Sequence, residues 1–318
     1  MERIIRTALE LGFGYAPVAL ALFLSFRILD IADLATDGCF VLGAAISVRM
    51  AAAGNPLLGI LLAVPSGMLV GAVSAELQTR LGIPSILAGI ITNTALYSVN
   101  LMVMGWRSNV NLIKEDSVFT LFRKMIPGAW SDFLLLTVFP TVIALLLKWF
   151  MSTRLGLSIR ATGDNPVMVR ASSIDTSSMI RAGLLISSSM TALSGAVIGQ
   201  YQKTVDINSG TGVVVIALAC LIIGETVLGR KSMNKSIAGA VIGSVIYRFV
   251  YALVFYTQLV PVQCLKLLTS AVVAAAIAVP HLREERAAVS GTDAAEKEGE
   301  ENAGYTTHIQ DIPSGHNK

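Results

Sequence analysis

Apolar stretches long enough to cross a bilayer follow one another along almost the whole chain of 318 residues. A transmembrane helix needs about 20 mostly apolar residues. The sequence therefore predicts nine spans, at about residues 8–29, 36–53, 57–77, 84–104, 131–151, 177–201, 208–229, 234–256 and 262–280. Because a helix satisfies its backbone polar groups within one segment, we expect an all-α, polytopic membrane bundle of about eight to ten spans.

The shortage of charged residues supports a membrane protein. Hydrophobic residues make up 54% of the chain and charged residues only 14%, whereas soluble domains carry about 25% charged residues. This excludes soluble enzymes, nucleic-acid-binding proteins and disulfide scaffolds. The cysteines lie in apolar stretches, where we expect buried thiols: Cys39, Cys220 and Cys264. All three histidines follow residue 280, so no histidine-based metal or acid–base site is expected in the membrane part, and no cofactor.

The chain divides into a membrane domain and a polar tail. Residues 1–280 hold the predicted spans, whereas residues 281–318 hold 4 basic and 8 acidic residues and no apolar periodicity. Such a composition predicts a disordered, acidic tail.

Basic residues in the loops predict the orientation of the spans. Five Lys and Arg residues fall within 148–181 and three within 229–235, and short loops rich in Lys and Arg lie in the cytoplasm. Counting spans from these loops places the 78–83 loop and the C-terminus inside and the N-terminus outside. The 105–130 loop, which has four basic residues, then lies outside against the usual bias.

Three GxxxG pairs predict close helix contacts, because small residues one turn apart let helix backbones approach each other. They are Gly67–Gly71, Gly195–Gly199 and Gly239–Gly243. Either packing within one subunit or a subunit interface is consistent with them.

No enzyme signature occurs in the chain: there is no HExxH, CxxC or Gly-x-Ser-x-Gly motif. The stretch 224–232 approaches a phosphate-binding loop, but Arg230 separates the second glycine from Lys231, whereas the motif needs lysine directly after that glycine. We therefore expect no ATP binding and no catalysis by this chain.

The polar segment at about 155–178 carries strong helix signals. A short helix is expected at 157–162, followed by a break at Gly163. Asp164 or Asn165 can cap a second helix that begins at Pro166 and ends near residue 173. This element is either a membrane-surface connector or a helix that docks into a partner's groove.

Residues 156–171, which read GLSIRATGDNPVMVRA, resemble the cytoplasmic coupling loop of ABC-transporter permeases of the branched-chain amino acid and ribose import type. Four other segments are similar to the same family, and they lie at 33–44, 95–105, 192–201 and 223–225. The segment at 95–105 is similar to a subgroup linked to uptake of tryptophan or other amino acids. The resemblance covers most of residues 10–280. Ser173 departs from it, because the family usually has glycine there.

The resemblance implies a type II-like ABC importer permease in a bacterial plasma (inner) membrane. Two permease subunits, most simply a homodimer, enclose a path for a small polar solute. Two separate ATPase subunits dock on the coupling loops and hydrolyse ATP, and an extracytoplasmic binding protein delivers the solute. The residues implied in coupling are Arg160, Ala161, Gly163, Asp164, Asn165 and Met168, although Asp164 could be only a helix cap.

Polar residues within the spans are candidates for the translocation path, because charged groups in a bilayer cost about 2.5–3.5 kcal/mol on insertion scales. The candidates are Asp33, Thr36, Asp37, Asn93, Asn100 and Glu225. Structural roles are the alternatives: an ion pair between Glu225 and Arg248, helix–helix hydrogen bonds of the asparagines, and a buried break near Asp33.

An amino acid is the expected solute, and a sugar or nucleoside is the alternative within the same class. A stand-alone transporter driven by an ion gradient is a rival from another class. It would use Asp33, Asp37 or Glu225 for ion coupling, but the nine spans lack the inverted repeats typical of such proteins. A purely structural membrane subunit would leave the 155–178 segment without a purpose.

Overall fold

A computed structural model describes residues 2–112, 115–125, 130–229 and 232–256, together with positions 270 and 274. The chain divides into two compact units, residues 1–269 and 270–318, and the description below concerns the first. Its helices are α1 (Glu2–Leu22), which continues as a π-helix (Phe23–Ile28), α2 (Thr36–Ala52), α3 (Pro56–Thr79), α4 (Ser85–Val103), α5 (Val118–Met125), α6 (Ser131–Met151), α7 (Arg154–Asp164), α8 (Pro166–Ala171), α9 (Thr176–Gln202), α10 (Val213–Leu228) and α11 (Met233–Tyr256). Two short strands, β1 (Asn109–Asn111) and β2 (Thr204–Asp206), pair antiparallel.

The all-α membrane bundle is confirmed. Eight of the nine predicted stretches coincide with helices, and α6 begins and ends at the predicted residues. Within the described residues, six helices are long and apolar enough to cross a membrane, while α2 and α10 are shorter. The predicted stretch 208–229 starts too early, because α10 begins only at Val213. The predicted span 262–280 and the predicted tail 281–318 lie outside the described residues.

Helix α9 is mostly buried between other helices, and glycines bring helix backbones into contact both at α9 and between α10 and α11. A Cβ added at Gly195 would lie 2.0 Å from the carbonyl oxygen of Phe40 in α2, and one added at Gly67 would lie 2.5 Å from that of Ser188. At Gly243 it would lie 1.9 Å from the carbonyl oxygen of Cys220 in α10. The GxxxG pairs therefore mediate packing within one subunit.

Buried polar side chains tie the helices together. The hydroxyls of Ser187, Ser194 and Ser244 each donate to a backbone carbonyl of α1, over 2.7–2.9 Å. Gln200 is fully buried: its Nε2 donates to Ser47 Oγ and to the carbonyl of Pro56, and its Oε1 accepts from the backbone N–H of Val118. Gln200 therefore joins α9 to α2 and to the first residues of α3 and α5.

The contacts also show which loops share an end of the bundle. Arg181, at the start of α9, bonds to Glu76 and Thr79 at the end of α3, and Ile28 lies against Gly163 of α7. The 78–83 loop and the end of α1 therefore lie beside the 152–175 segment. The N-terminus of α1 and the β1–β2 pair lie at the opposite end, which agrees with the expected relation between these loops.

Candidate functional site

Two helices begin inside the bundle, well away from its two ends. Helix α2 runs alongside α9 in the same direction, with Cys39 beside Ser188 and Ser47 beside Gln200. Ser188 is close to the midpoint of α9, so α2 starts at mid-depth. Such discontinuous helices leave backbone N–H groups inside the membrane, where only protein or a solute can satisfy them.

Asp37, in the first turn of α2, meets the start of α10. Its Oδ2 accepts from the backbone N–H of Gly212 and its Oδ1 from that of Val214, both at 2.9 Å. A carboxylate at a helix N-terminus is favoured by unpaired N–H groups and by the helix dipole. Gly212 adopts a φ of +86°, which favours glycine. Asp37 thus holds the two mid-depth helix starts together.

A cleft of about 320 Å³ opens beside this junction. The fold brings three of the six predicted path residues to it: Asp37, Asn93 and Asn100. The Nδ2 of Asn100 donates to the carbonyl oxygen of Gly38 at 3.1 Å, which also ties α4 to α2. Further lining residues that were not predicted for the path are Tyr97, Asn208 and Thr211. Two signals could have indicated them: Tyr97 lies one helical turn after Asn93, and the polar run at 206–211 interrupts a stretch of apolar residues.

Asp33 and Thr36 organise the start of α2 and do not line the cleft. Asp33 is 1% exposed, and its Oδ1 accepts from the backbone N–H of Ala35 at 3.0 Å. The hydroxyl of Thr36 donates to the carbonyl of Asp33 at 3.0 Å. These contacts give both residues a structural function, and their contact with solute stays a prediction.

Glu225 lies in the last turn of α10, at the same end of the bundle as the 152–175 segment. The observed ion pair joins its Oε1 to Arg27 Nε at 3.2 Å, so its partner is on the π-helix at the end of α1. Arg248, the partner expected from the sequence, has its guanidinium carbon 3.8 Å from the ring centroid of Tyr15. A cation over an aromatic face is a favourable arrangement in a desolvated site.

The six residues implied in coupling lie on α7, on α8 and at the joint between them. Asn165 is the N-cap of α8, since its Oδ1 accepts from the backbone N–H groups of Val167 and Met168 at 3.1 and 3.0 Å. The expected helix break at Gly163 is wrong, because α7 continues to Asp164. Glycine serves a close contact there instead: a Cβ would lie 1.8 Å from the carbonyl oxygen of Ile28.

Helix α8 presents apolar side chains to the surface. Val169 is buried, whereas Val167 and Met168 are 76% and 67% exposed. Arg160 and Asp164 are also exposed. Ser173 follows the end of α8 with a φ of +61°, a left-handed conformation that favours glycine. A capped helix with exposed apolar residues is the form of a docking element.

The backbone connects this surface to the cleft by a short route. Gly163 touches Ile28, and Leu29 packs against Gly183 of α9, where an added Cβ would be 2.2 Å from Leu29 Cδ1. The chain then runs through residues 30–35 into α2, whose first turn carries Asp37. Helix α7 is therefore in direct contact with the segment that leads to the cleft.

A multi-helix membrane bundle with a mid-depth polar cleft and an exposed capped helix fits a transport permease. The chain belongs to the family described as "Branched-chain amino acid transport system / permease component", whose model matches residues 4–279. It is 31% identical over 266 residues to a tyrosine transport system permease protein of Clostridioides difficile, an alignment that covers 83% of this chain and 87% of that protein.

Two further proteins are similar. An uncharacterized protein of Rickettsia prowazekii is 30% identical over 267 residues, which is 82% of this chain and 92% of that protein. The solved structure of a metal-chelate type ABC transporter in an inward-facing conformation has a TM-score of 0.49 and 18% identity, with 88% of this chain and 85% of that chain covered.

Proposed function

We propose that this permease is the membrane subunit of a binding-protein-dependent ABC importer, and that two copies enclose a path for an amino acid. One observation carries the proposal: a polar mid-depth cleft is connected, through residues 28–37, to an exposed helical surface that suits a partner. The importer works in a bacterial plasma membrane, with the 152–175 segment and the C-terminus in the cytoplasm.

Two separate ATPase subunits dock on the surface formed by α7 and α8. The support is the exposure of Val167 and Met168 on a capped helix, with the charged groups of Arg160 and Asp164 beside them. Docking there pushes on Gly163 and hence on Ile28. The movement that ATP binding and hydrolysis cause in the ATPase is thereby passed to Asp37 and the cleft, and this chain needs no nucleotide site of its own.

Co-purification with the ATPase tests this docking. Changing Arg160, Asp164 and Met168 to Ala is expected to abolish ATPase retention on the permease. A matched control changes Arg107, Asp116 and Met102 to Ala, which removes the same residue types from exposed positions away from this surface, and it is expected to retain the ATPase. Equal retention by both triple variants would contradict the proposal.

The solute is a small amino acid-like molecule that the binding protein delivers. The name of the Clostridioides difficile relative refers to tyrosine transport, and the cleft offers the carboxamide of Asn93, the phenol of Tyr97 and the carboxylate of Asp37. The carboxamide and the phenol can both donate and accept hydrogen bonds, and the carboxylate accepts them. A sugar or nucleoside would also find partners here, so competition experiments are needed to separate the classes.

The solute classes can be distinguished by measuring uptake of labelled L-tyrosine into proteoliposomes, with ribose and adenosine as competitors. We expect uptake that needs the ATPase, the binding protein and ATP, and that other amino acids inhibit but ribose and adenosine do not. Asn93→Leu should reduce uptake about tenfold or more, equivalent to about 1.4 kcal/mol, while Ser98→Ala, outside the cleft, should leave it unchanged. ATP-independent uptake that an ionophore abolishes would instead support an ion-coupled transporter.

A further inference from the structure

A second polar cavity, of about 390 Å³, lies at the end of the bundle that carries α7 and α8. Three elements enclose it: the π-helix at the end of α1, helix α7 and the first turn of α11. Its lining residues are Phe23, Arg27, Ile28, Arg160, Asp164, Met233 and Ser236. It is distinct from the mid-depth cleft, with which it shares no lining residue.

The charges on this cavity are of both signs. Arg160 and Asp164 are four residues apart on α7, in the order that forms the weaker ion pair, and within the described residues neither forms one. Arg27 contacts Glu225 through Nε, and its guanidinium has four other N–H donors. The cavity therefore presents cationic donors on two of its walls and one carboxylate without an ion-pair partner among the described residues.

This charge pattern fits a ligand that carries both an anionic and a cationic group. A carboxylate is matched by the forked donors of Arg160 and Arg27, and an ammonium is matched by Asp164. Phe23, Ile28 and Met233 supply an apolar side to the cavity. A simple anion would meet the carboxylate of Asp164, and a simple cation would meet two guanidinium groups. A zwitterion can pair with the guanidinium groups and with the carboxylate at the same time.

We propose that this cavity binds a free zwitterionic amino acid from the cytoplasm, and that its occupancy slows the ATP-driven cycle. The inference rests on the proposed function, since it takes α7 as the element that the ATPase moves. A ligand held between α7, the π-helix and α11 fixes the spacing of these elements. Because the contact of Gly163 with Ile28 lies at the same junction, the bound ligand opposes the displacement that reaches the cleft, and accumulated solute inhibits its own import.

ATP hydrolysis by the reconstituted complex tests the site. The permease and ATPase are placed in liposomes with the ATPase side outward and loaded binding protein inside. L-Tyrosine, L-leucine or L-glutamine is then added outside. We expect at least one of them to lower ATP hydrolysis fivefold or more, within the usual range of coupling between sites. Its N-acetyl and amide derivatives, which each lack one charge, should inhibit at least tenfold more weakly.

Ser236→Phe tests whether this cavity is the inhibitory site. The larger side chain fills the cavity from α11 and leaves the three charged side chains in place. Stimulation by loaded binding protein should persist, while the half-inhibitory amino acid concentration should rise tenfold or more. Ala238→Phe is the matched control, since residue 238 is exposed on the same helix and does not line the cavity. Inhibition of the Ser236→Phe variant at wild-type concentrations would overturn the inference.

The remaining outcomes distinguish a failure of the cavity proposal from a failure of the proposed function. If loaded binding protein fails to stimulate ATP hydrolysis at all, the proposed function itself fails. Intact stimulation without inhibition by any of the three amino acids overturns only the cavity proposal. A zwitterionic lipid headgroup shares the ligand chemistry, so the assay is repeated with and without phosphatidylethanolamine. Loss of amino acid inhibition in that lipid would assign the cavity to the headgroup, and loss of ATPase binding in Ser236→Phe would assign it to the ATPase.

Discussion

At the scale of single residues, Gly163 allows helix α7 to touch the end of α1. Gly163→Ala would place a methyl group 1.8 Å from the carbonyl oxygen of Ile28, a contact that only a backbone shift can relieve. Overpacking of this kind costs about 1–3 kcal/mol, so we expect a lower Tm and weaker ATP-driven uptake. Ser158→Thr, which adds a methyl group to the more open part of the same helix, serves as the control. A wild-type Tm and uptake rate for Gly163→Ala would show that the contact is not needed.

At Ser173 we expect a substitution to stabilise the protein, in contrast to Gly163→Ala. A non-glycine residue in the left-handed region costs about 1–2 kcal/mol, and Ser173 has a φ of +61°. Ser173→Gly removes this strain but makes the unfolded chain more flexible. We therefore expect stabilisation of about 0.5–1 kcal/mol, seen as a higher Tm of the purified permease. Ser172→Gly, at a φ of −85°, should lower the Tm, and an equal effect of both changes would contradict this explanation.

At the scale of elements, the junction of α2 and α10 depends on one carboxylate. Asp37→Ala removes the acceptor for the N–H groups of Gly212 and Val214, and each lost charge-assisted hydrogen bond costs about 1.5–3 kcal/mol. We expect faster hydrogen exchange at residues 212–216 and loss of uptake. Asp37→Asn retains one acceptor oxygen and should fall between wild type and Asp37→Ala. Unchanged exchange in Asp37→Ala would show that other groups hold the start of α10.

The elements also show where sequence patterns predict well and where they do not. The bounds of α6 followed directly from its apolar length. The sequence predicted a cap for α8 at Asp164 or Asn165, and the structure assigns it to Asn165. The break assigned to Gly163 was wrong because glycine has two uses, as a helix breaker and as a site of close approach. Only the position of Ile28 distinguishes them. Likewise, the late start of α10 depends on Asp37, which lies far away in the sequence.

At the scale of the whole molecule, the orientation of the bundle is testable by chemical labelling. On a background without native cysteines, Arg107→Cys and Ser172→Cys place single thiols at exposed positions at opposite ends of the bundle. A membrane-impermeant maleimide applied to intact spheroplasts should label position 107, and should label position 172 only after permeabilisation. The reverse pattern would overturn the expected orientation and move the 152–175 segment outside.

The sequence by itself determined the class of this protein. Most of its apolar stretches reach the length that a bilayer requires, and its charges are too few for a water-facing surface, so a helical membrane bundle was the available solution. The motif at 156–171 pointed to its family, to which the chain belongs. The signals for spans and caps are local, because each depends on residues within a few helical turns of one another.

The tertiary structure alone decided which polar residues meet. Asp37, Asn93 and Asn100 share a cleft, Glu225 is paired with Arg27, and Arg248 stacks on Tyr15. Asn93 and Asn100 share a face of α4, but the other contacts join residues on different helices and could not be read from spacing. Glycine and serine contacts with α9 set how closely and at what depth α1, α2 and α3 pack against it. Helix length and composition are properties of a segment, whereas a site is a property of the packing between segments.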